Sequence, residues 1–120
     1  MDINSIKSVY FIGAGGIGMS ALVRYFLSKG KNVAGYDRTP SELTSKLIEE
    51  GADIHYEEST DLIPLDFKDK ESTLVIYTPD IPKDHRELVF SQNNGFAIKK
   101  RAQVLGMLTH AGKGLCVAGT

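Results

Sequence analysis

Short apolar runs alternate along this chain with stretches in which apolar residues recur at three- and four-residue spacing. The first pattern reads as strand and the second as helix. Residues 8–12 make the first strand, β-branched and aromatic, with apolar character on both faces, as in a parallel strand covered on both sides. A helix over 16–29 follows, with Ile17, Ala21, Leu22, Tyr25 and Phe26 on its apolar face and Gly30 closing it. Asn32–Asp37 is the second strand. Ser41 reads as the N-cap of a helix over about 42–50, with Leu43, Leu47 and Ile48 as its buried stripe and Gly51 as its stop. Asp53–Tyr56 is a short third strand, and 57–71 is a polar surface connection with room for one helical turn. Thr73–Thr78 is a strongly apolar fourth strand, blocked from continuing by Pro79 and Pro82. A helix over about 84–93 runs through Leu88, Val89 and Phe90 to Asn94-Gly95, with His85 exposed near its start. Phe96–Lys99 is the fifth strand, Lys100–Leu108 another helix, 110–114 a turn or linker, and Leu115–Ala118 a sixth strand.

The turn between the first strand and first helix carries the chemistry. Gly13, Gly15 and Gly18 fit G-x-G-x-x-G between a strand and a helix. The first glycine allows the tight turn, the second lets backbone approach a ligand, and the third lets the helix pack close to the strand. The helix N-terminus aims N–H groups and a positive dipole end into the turn, which favours an anion such as a pyrophosphate. NAD, FAD and a UDP-sugar all carry one, so the turn alone leaves the ligand open. The fold class is α/β: a Rossmann-like parallel sheet of about five strands with helices on both faces.

Asp37 ends the second strand, 19 residues after Gly18. There a carboxylate takes two ribose hydroxyls; the competing reading is a solvated turn aspartate before Pro40. The loop starting at Thr78 leaves the same edge of the sheet and faces the same crevice. Lys99, Lys100 and Arg101 cluster at another strand end, either reaching the crevice or simply solvated. Met19 reads as core filler, and His55 as a strand residue with a satisfied ring, since no second ligand stands at metal spacing.

Composition narrows the function class. With a net charge of −1 over 120 residues there is no basic face for nucleic acid, and no apolar run reaches membrane-helix length. The first residues do not form a secretory signal, and the single cysteine, Cys116, fits a reducing compartment, so a cytoplasmic location is expected. Cys116 itself reads as a small buried hydrophobe. The strand running into Gly119-Thr120 reads as the lead-in to a phosphate-binding loop, and the chain as the front piece of a longer enzyme.

Four places, in order, resemble one family, the Mur ligases of bacterial cell-wall synthesis, and within it the alanine-adding branch. They are Phe11-Ile12-Gly13-Ala14-Gly15-Gly16-Ile17-Gly18-Met19-Ser20, Gly35-Tyr36-Asp37, Ile98-Lys99-Lys100-Arg101-Ala102-Gln103-Val104-Leu105, and Val117-Ala118-Gly119-Thr120. The resemblance covers nearly the whole chain. It implies that residues 1–111 are a Rossmann-like domain that binds UDP-N-acetylmuramate instead of NAD. Residues 112–120 would be a linker and the first strand of a truncated ATP-binding domain. The parent would be an ATP- and magnesium-dependent ligase adding L-alanine to UDP-N-acetylmuramate in peptidoglycan synthesis, through an acyl phosphate on the substrate carboxylate. This piece alone would be inactive and hold no cofactor.

By the same resemblance Gly15, Gly16, Ile17, Gly18, Met19 and Ser20 would hold the pyrophosphate, and Gly13 would be among the substrate-binding residues. Asp37 and Thr78 would lie near the uridine, Arg101 near the sugar end, and Gly119 and Thr120 would begin the ATP loop. Ala14 stands where the family more often has isoleucine, and Tyr56-Glu57-Glu58-Ser59 lacks the histidine expected after the third strand. The rival readings are the NAD-binding domain of an oxidoreductase, a regulatory nucleotide-sensing module, and the family's murein-tripeptide recycling ligase. The last usually lacks the Arg-Ala-x-x-Leu segment that Arg101, Ala102 and Leu105 supply.

Overall fold

The computed structural model describes residues 5–15, 17–79 and 81–110, with backbone alone at Ile17 and 107–110. Among these residues five strands form one parallel sheet: β1 (Ser8–Ile12), β2 (Asn32–Tyr36), β3 (Asp53–His55), β4 (Thr73–Tyr77) and β5 (Ala97–Lys100). Their order is β3-β2-β1-β4-β5. The chain therefore reverses its direction of winding between β1 and β4, and a crevice opens beyond the carboxyl ends of the strands at such a point. The helices are α1 (Ile17–Ser28), α2 (Glu42–Glu49), α3 (Arg86–Asn93) and α4 (Arg101–His110). Among the described residues no helix is long and apolar enough to cross a membrane.

Alternation along each strand sends side chains to two separate cores. Val9, Phe11, Val33, Leu74 and Ile76 face α1, α2 and α4, meeting Met19, Leu22, Val23, Phe26, Leu47 and Val104. Tyr10, Ile12, Ala34, Tyr36 and Val75 face the other way, onto Ile63, Phe67 and Leu88. This two-sided burial is why β1 and β4 read as continuous apolar runs.

Several expectations about local packing change. The buried stripe of α1 is Met19, Leu22, Val23 and Phe26, while Ala21 is exposed. In α2 the inward residues are Thr44 and Leu47, and Ile48 is exposed. Thr44 turns inward because it closes the N-terminus reciprocally with Ser41: each side chain accepts the other's backbone N–H, at 3.1 and 2.9 Å. Residues 57–71 are more than a surface connection. They contain two single 3-10 turns, Thr60–Leu62 and Leu65–Phe67, and push Ile63 and Phe67 under the sheet. This segment covers the face that a crossover helix would otherwise cover. His110 is the last residue of α4 and not the start of a linker; the expected turn beyond it, the sixth strand and Cys116 lie outside the described residues.

Candidate functional site

The carboxyl ends of β1, β2 and β4 open onto a crevice of about 830 Å³, within the range of small-molecule sites. The glycine turn contributes Gly13 and Gly15, and the end of β2 contributes Tyr36, Asp37 and Arg38. Glu58 comes from the loop after β3, Thr78, Ile81 and Pro82 from the loop after β4, and His85 from the start of α3.

The turn is tied down before it meets any ligand. Gly13 and Ala14 both donate their N–H groups to the Tyr36 carbonyl, at 2.7 and 2.9 Å. Gly13 takes φ +100°, a conformation that a side chain would strain, and a Cβ there would also lie 3.0 Å from Thr78 Oγ1. Donors for an anion would therefore come from beyond Ala14, at the start of α1, since the first N–H groups of a helix generally lack an intrahelical partner.

Two glycines owe their bareness to neighbouring side chains. A Cβ on Gly15 would stand 2.6 Å from Asp37 Oδ2 and 2.9 Å from Thr44 Cγ2. The Asp37 carboxylate thus lies directly against the glycine turn. A Cβ on Gly18 would overlap the Arg101 guanidinium, with Arg101 Cδ only 3.0 Å away. The third glycine therefore makes room for an arginine arriving from the far edge of the sheet, and not only for helix–strand packing.

Of the residues singled out from sequence, Gly13, Gly15, Asp37 and Thr78 line the crevice. Gly18 and Arg101 meet each other instead, at the first turn of α1. Ile17 opens α1, and Gly16, Gly119 and Thr120 lie outside the described residues. Met19 is buried in the core and Ser20 is 5% exposed, so these two can offer a ligand little beyond backbone. Lys100 donates its N–H to Gln103 Oε1 at 2.8 Å, which caps the start of α4.

The sequence reading missed Tyr36, Arg38, Glu58, Ile81, Pro82 and His85. Most flank residues that were found: Tyr36 and Arg38 bracket Asp37, and Ile81 and Pro82 follow Thr78. His85 is a correction. Expected to be exposed, it is 4% exposed and caps α3, its Nδ1 accepting the Glu87 N–H at 3.2 Å. Its ring stacks edge-on against Tyr36 at 4.7 Å. Histidine is outside the usual N-cap set, so sequence gave little signal. The segment after β3 that lacks the family's expected histidine supplies Glu58, and a histidine reaches the crevice from α3 instead.

Burial first, and then the negative charges of Glu58, Glu87 and Asp37, raise the Tyr36 phenol above the ordinary tyrosine range; Arg38 offsets part of this. Tyr36 is therefore a neutral hydrogen-bonding wall at physiological pH. His55 has the satisfied ring expected of it, bonded to Glu87 at 2.8 Å and near the Tyr10 hydroxyl at 3.1 Å. Among the described residues no group of three or more His, Cys, Asp or Glu is placed to hold a metal ion.

The family model described as "Mur ligase family, catalytic domain" matches residues 8–113. The chain is 75% identical over 120 residues to the UDP-N-acetylmuramate–L-alanine ligase of Phocaeicola vulgatus, covering all of this chain and 26% of that one. It is 60% identical over 120 residues to the protein of the same name from Parabacteroides distasonis, again covering 26% of the relative. The chain thus spans about a quarter of the length of the curated relatives it matches. Among solved structures, the UDP-N-acetylmuramate–alanine ligase MurC of Thermotoga maritima superposes with a TM-score of 0.75 at 31% identity, over 86% of this chain and 23% of that one. A Neisseria meningitides UDP-N-acetylmuramate:L-alanyl-gamma-D-glutamyl-meso-diaminopimelate ligase shares the fold, with a TM-score of 0.69 at 18% identity, over 83% of this chain and 30% of that one. The glycine turn, the acid-ended second strand and the Arg101 segment all lie inside the matched span, and the chain belongs to the Mur ligase family.

Proposed function

We propose that this chain is the UDP-N-acetylmuramate-binding part of an ATP-dependent ligase that adds L-alanine to that substrate in peptidoglycan synthesis. The observation that carries the reading is the identity of 75% along all 120 residues to a protein named for that reaction. The geometry supports it. The pyrophosphate would lie on the backbone of Gly15–Ser20, at the N-terminus of α1. The uridine would lie toward Asp37 and Thr78, which line the crevice. The sugar would extend toward Arg101, whose guanidinium lies over Gly18.

On this reading residues 1–111 are the binding domain, and 112–120 lead into an ATP-binding domain whose loop begins at Gly119 and Thr120. Catalysis, ATP, magnesium and L-alanine belong to the full-length parent, and the 120-residue piece turns nothing over by itself. Magnesium supplies charge neutralisation to ATP phosphates when bound. The described residues of this chain would only bind and orient the UDP-sugar.

The test is calorimetric. UDP-N-acetylmuramate is expected to bind the 120-residue chain and raise its melting temperature, and NADH is not. At ~100 Kd of ligand the stabilisation should be about 2.7 kcal/mol. Saturation by NADH without response to any UDP compound would overturn the proposal in favour of an oxidoreductase cofactor domain.

A further inference from the structure

Glu87 is fully buried, yet it is a carboxylate in α3 on the apolar underside of the sheet. A buried charge of this kind persists only where donors surround it. Three do. The Tyr10 hydroxyl of β1 donates to Oε1 at 2.5 Å. The His55 ring of β3 donates to Oε2 at 2.8 Å, and the Ser59 backbone N–H donates to the same oxygen at 3.1 Å. One carboxylate therefore joins a central strand, an edge strand, the loop after that edge strand and a helix. Burial and the Glu87 charge raise the Tyr10 phenol well above its ordinary range, so it stays a donor.

Both ends of this network stop at the crevice. Ser59 is the neighbour of Glu58, whose carboxylate accepts the Arg86 N–H at 2.7 Å. The Glu87 backbone N–H donates to His85 Nδ1, which fixes the proton of that ring on Nε2. His85 Nε2 has no hydrogen-bond partner among the described residues, and Glu58 Oε1 stands 3.9 Å from it. Beside Tyr36 the wall thus presents a donor next to an acceptor. A buried donor without a partner is costly, and a ligand acceptor would recover that cost.

We infer that Glu87 is a positioning residue: it holds Glu58 and His85 in register as the surface that meets the nucleoside end of the ligand. The inference rests on the reading that the crevice takes a uridine nucleotide. Glu87 touches no ligand itself. It sets the loop through Ser59 and the histidine tautomer through its own backbone, leaving the glycine turn to the phosphates.

The ratio of the dissociation constants for inorganic pyrophosphate and UDP isolates the nucleoside contribution, and titrating both into the 120-residue chain tests the inference. Glu87→Gln keeps the side-chain volume but replaces an acceptor oxygen with an amide that donates. The ratio is expected to fall about tenfold, the equivalent of one hydrogen bond to a charged group, with pyrophosphate affinity unchanged. Loosening of the whole fold would weaken both ligands together and leave the ratio as it was; that result would overturn the inference. His55→Phe removes one donor at an edge strand and keeps a ring there. It is expected to lower the ratio in the same direction, and it decides the matter by the same criterion should Glu87→Gln not fold. A parent chain that binds pyrophosphate as tightly as UDP would instead overturn the uridine reading itself.

Discussion

Gly35→Ala is expected to be the most destabilising single methyl added to this chain. Gly35 pairs with Phe11 in the centre of the sheet. A Cβ there would lie 2.6 Å from the Phe11 carbonyl oxygen, 3.0 Å from Phe11 Cβ and 3.4 Å from Ala14 Cβ. The first of these is backbone of a strand bonded on both sides, to β2 and β4, so it cannot swing away. Ala14 cannot retreat cheaply either, because its N–H is bonded to the Tyr36 carbonyl. Overpacking of this kind costs about 3 kcal/mol, which for a domain of this size lowers the melting temperature by roughly 10 °C. A thermal melt checks it. A variant melting with the parent would show that β1 and β2 are not held as closely as the register implies.

The second large effect separates Gly15 from Gly18, in the reverse sense to what the motif suggests. From the motif, Gly15→Ala should spare the fold and Gly18→Ala should not. The surroundings point the other way. A methyl on Gly18 meets the end of the Arg101 side chain, which is flexible and can leave. Gly18→Ala is therefore expected to melt close to the parent but to bind UDP-N-acetylmuramate about 10- to 100-fold more weakly, the loss of a charged hydrogen-bonding partner. Because the two changes remove the same contact, Gly18→Ala combined with Arg101→Ala should be little worse than either alone. A methyl on Gly15 presses on Asp37 and on Thr44, which is fully buried and closes the N-terminus of α2. Gly15→Ala is expected to lose stability as well as binding. Calorimetry and melts on Gly15→Ala, Gly18→Ala, Arg101→Ala and the Gly18→Ala/Arg101→Ala pair read both quantities. Additive losses from Gly18→Ala and Arg101→Ala would show that the arginine does not serve the site from this position.

Most of the fold was legible because its signals are local. The apolar runs at 8–12 and 73–78, the cap at Ser41 and the stop at Gly30 each depend on neighbours in sequence. What was hidden depends on partners far along the chain. On α2 Thr44 is buried and Ile48 exposed, and the capping pair that turns Thr44 inward lies outside the apolar pattern. Residues 57–71 look solvated by composition, yet Ile63 and Phe67 are drawn under the sheet because that face has nothing else to cover it between α3 and the edge. His85 is unreadable from sequence, since its burial comes from Tyr36 and its role from Glu87. The crevice itself was half legible. A glycine turn and an acid at a strand end announce themselves, whereas Gly35 and Gly18 are glycines because of the Phe11 carbonyl and the Arg101 guanidinium, and those contacts exist only once the sheet has formed.

On the proposed reading the glycine turn and the ends of β1, β2 and β4 bind a UDP-sugar. Amide chemical shifts of the 15N-labelled chain, followed as UDP-N-acetylmuramate is added, test it most directly. Saturable shifts are expected at Gly15, Gly18, Asp37 and Thr78, all at the carboxyl ends of the strands, with Gly51 and Gly95 at the opposite ends unmoved. Shifts confined to the Gly51 and Gly95 side, or none at millimolar ligand, would contradict it.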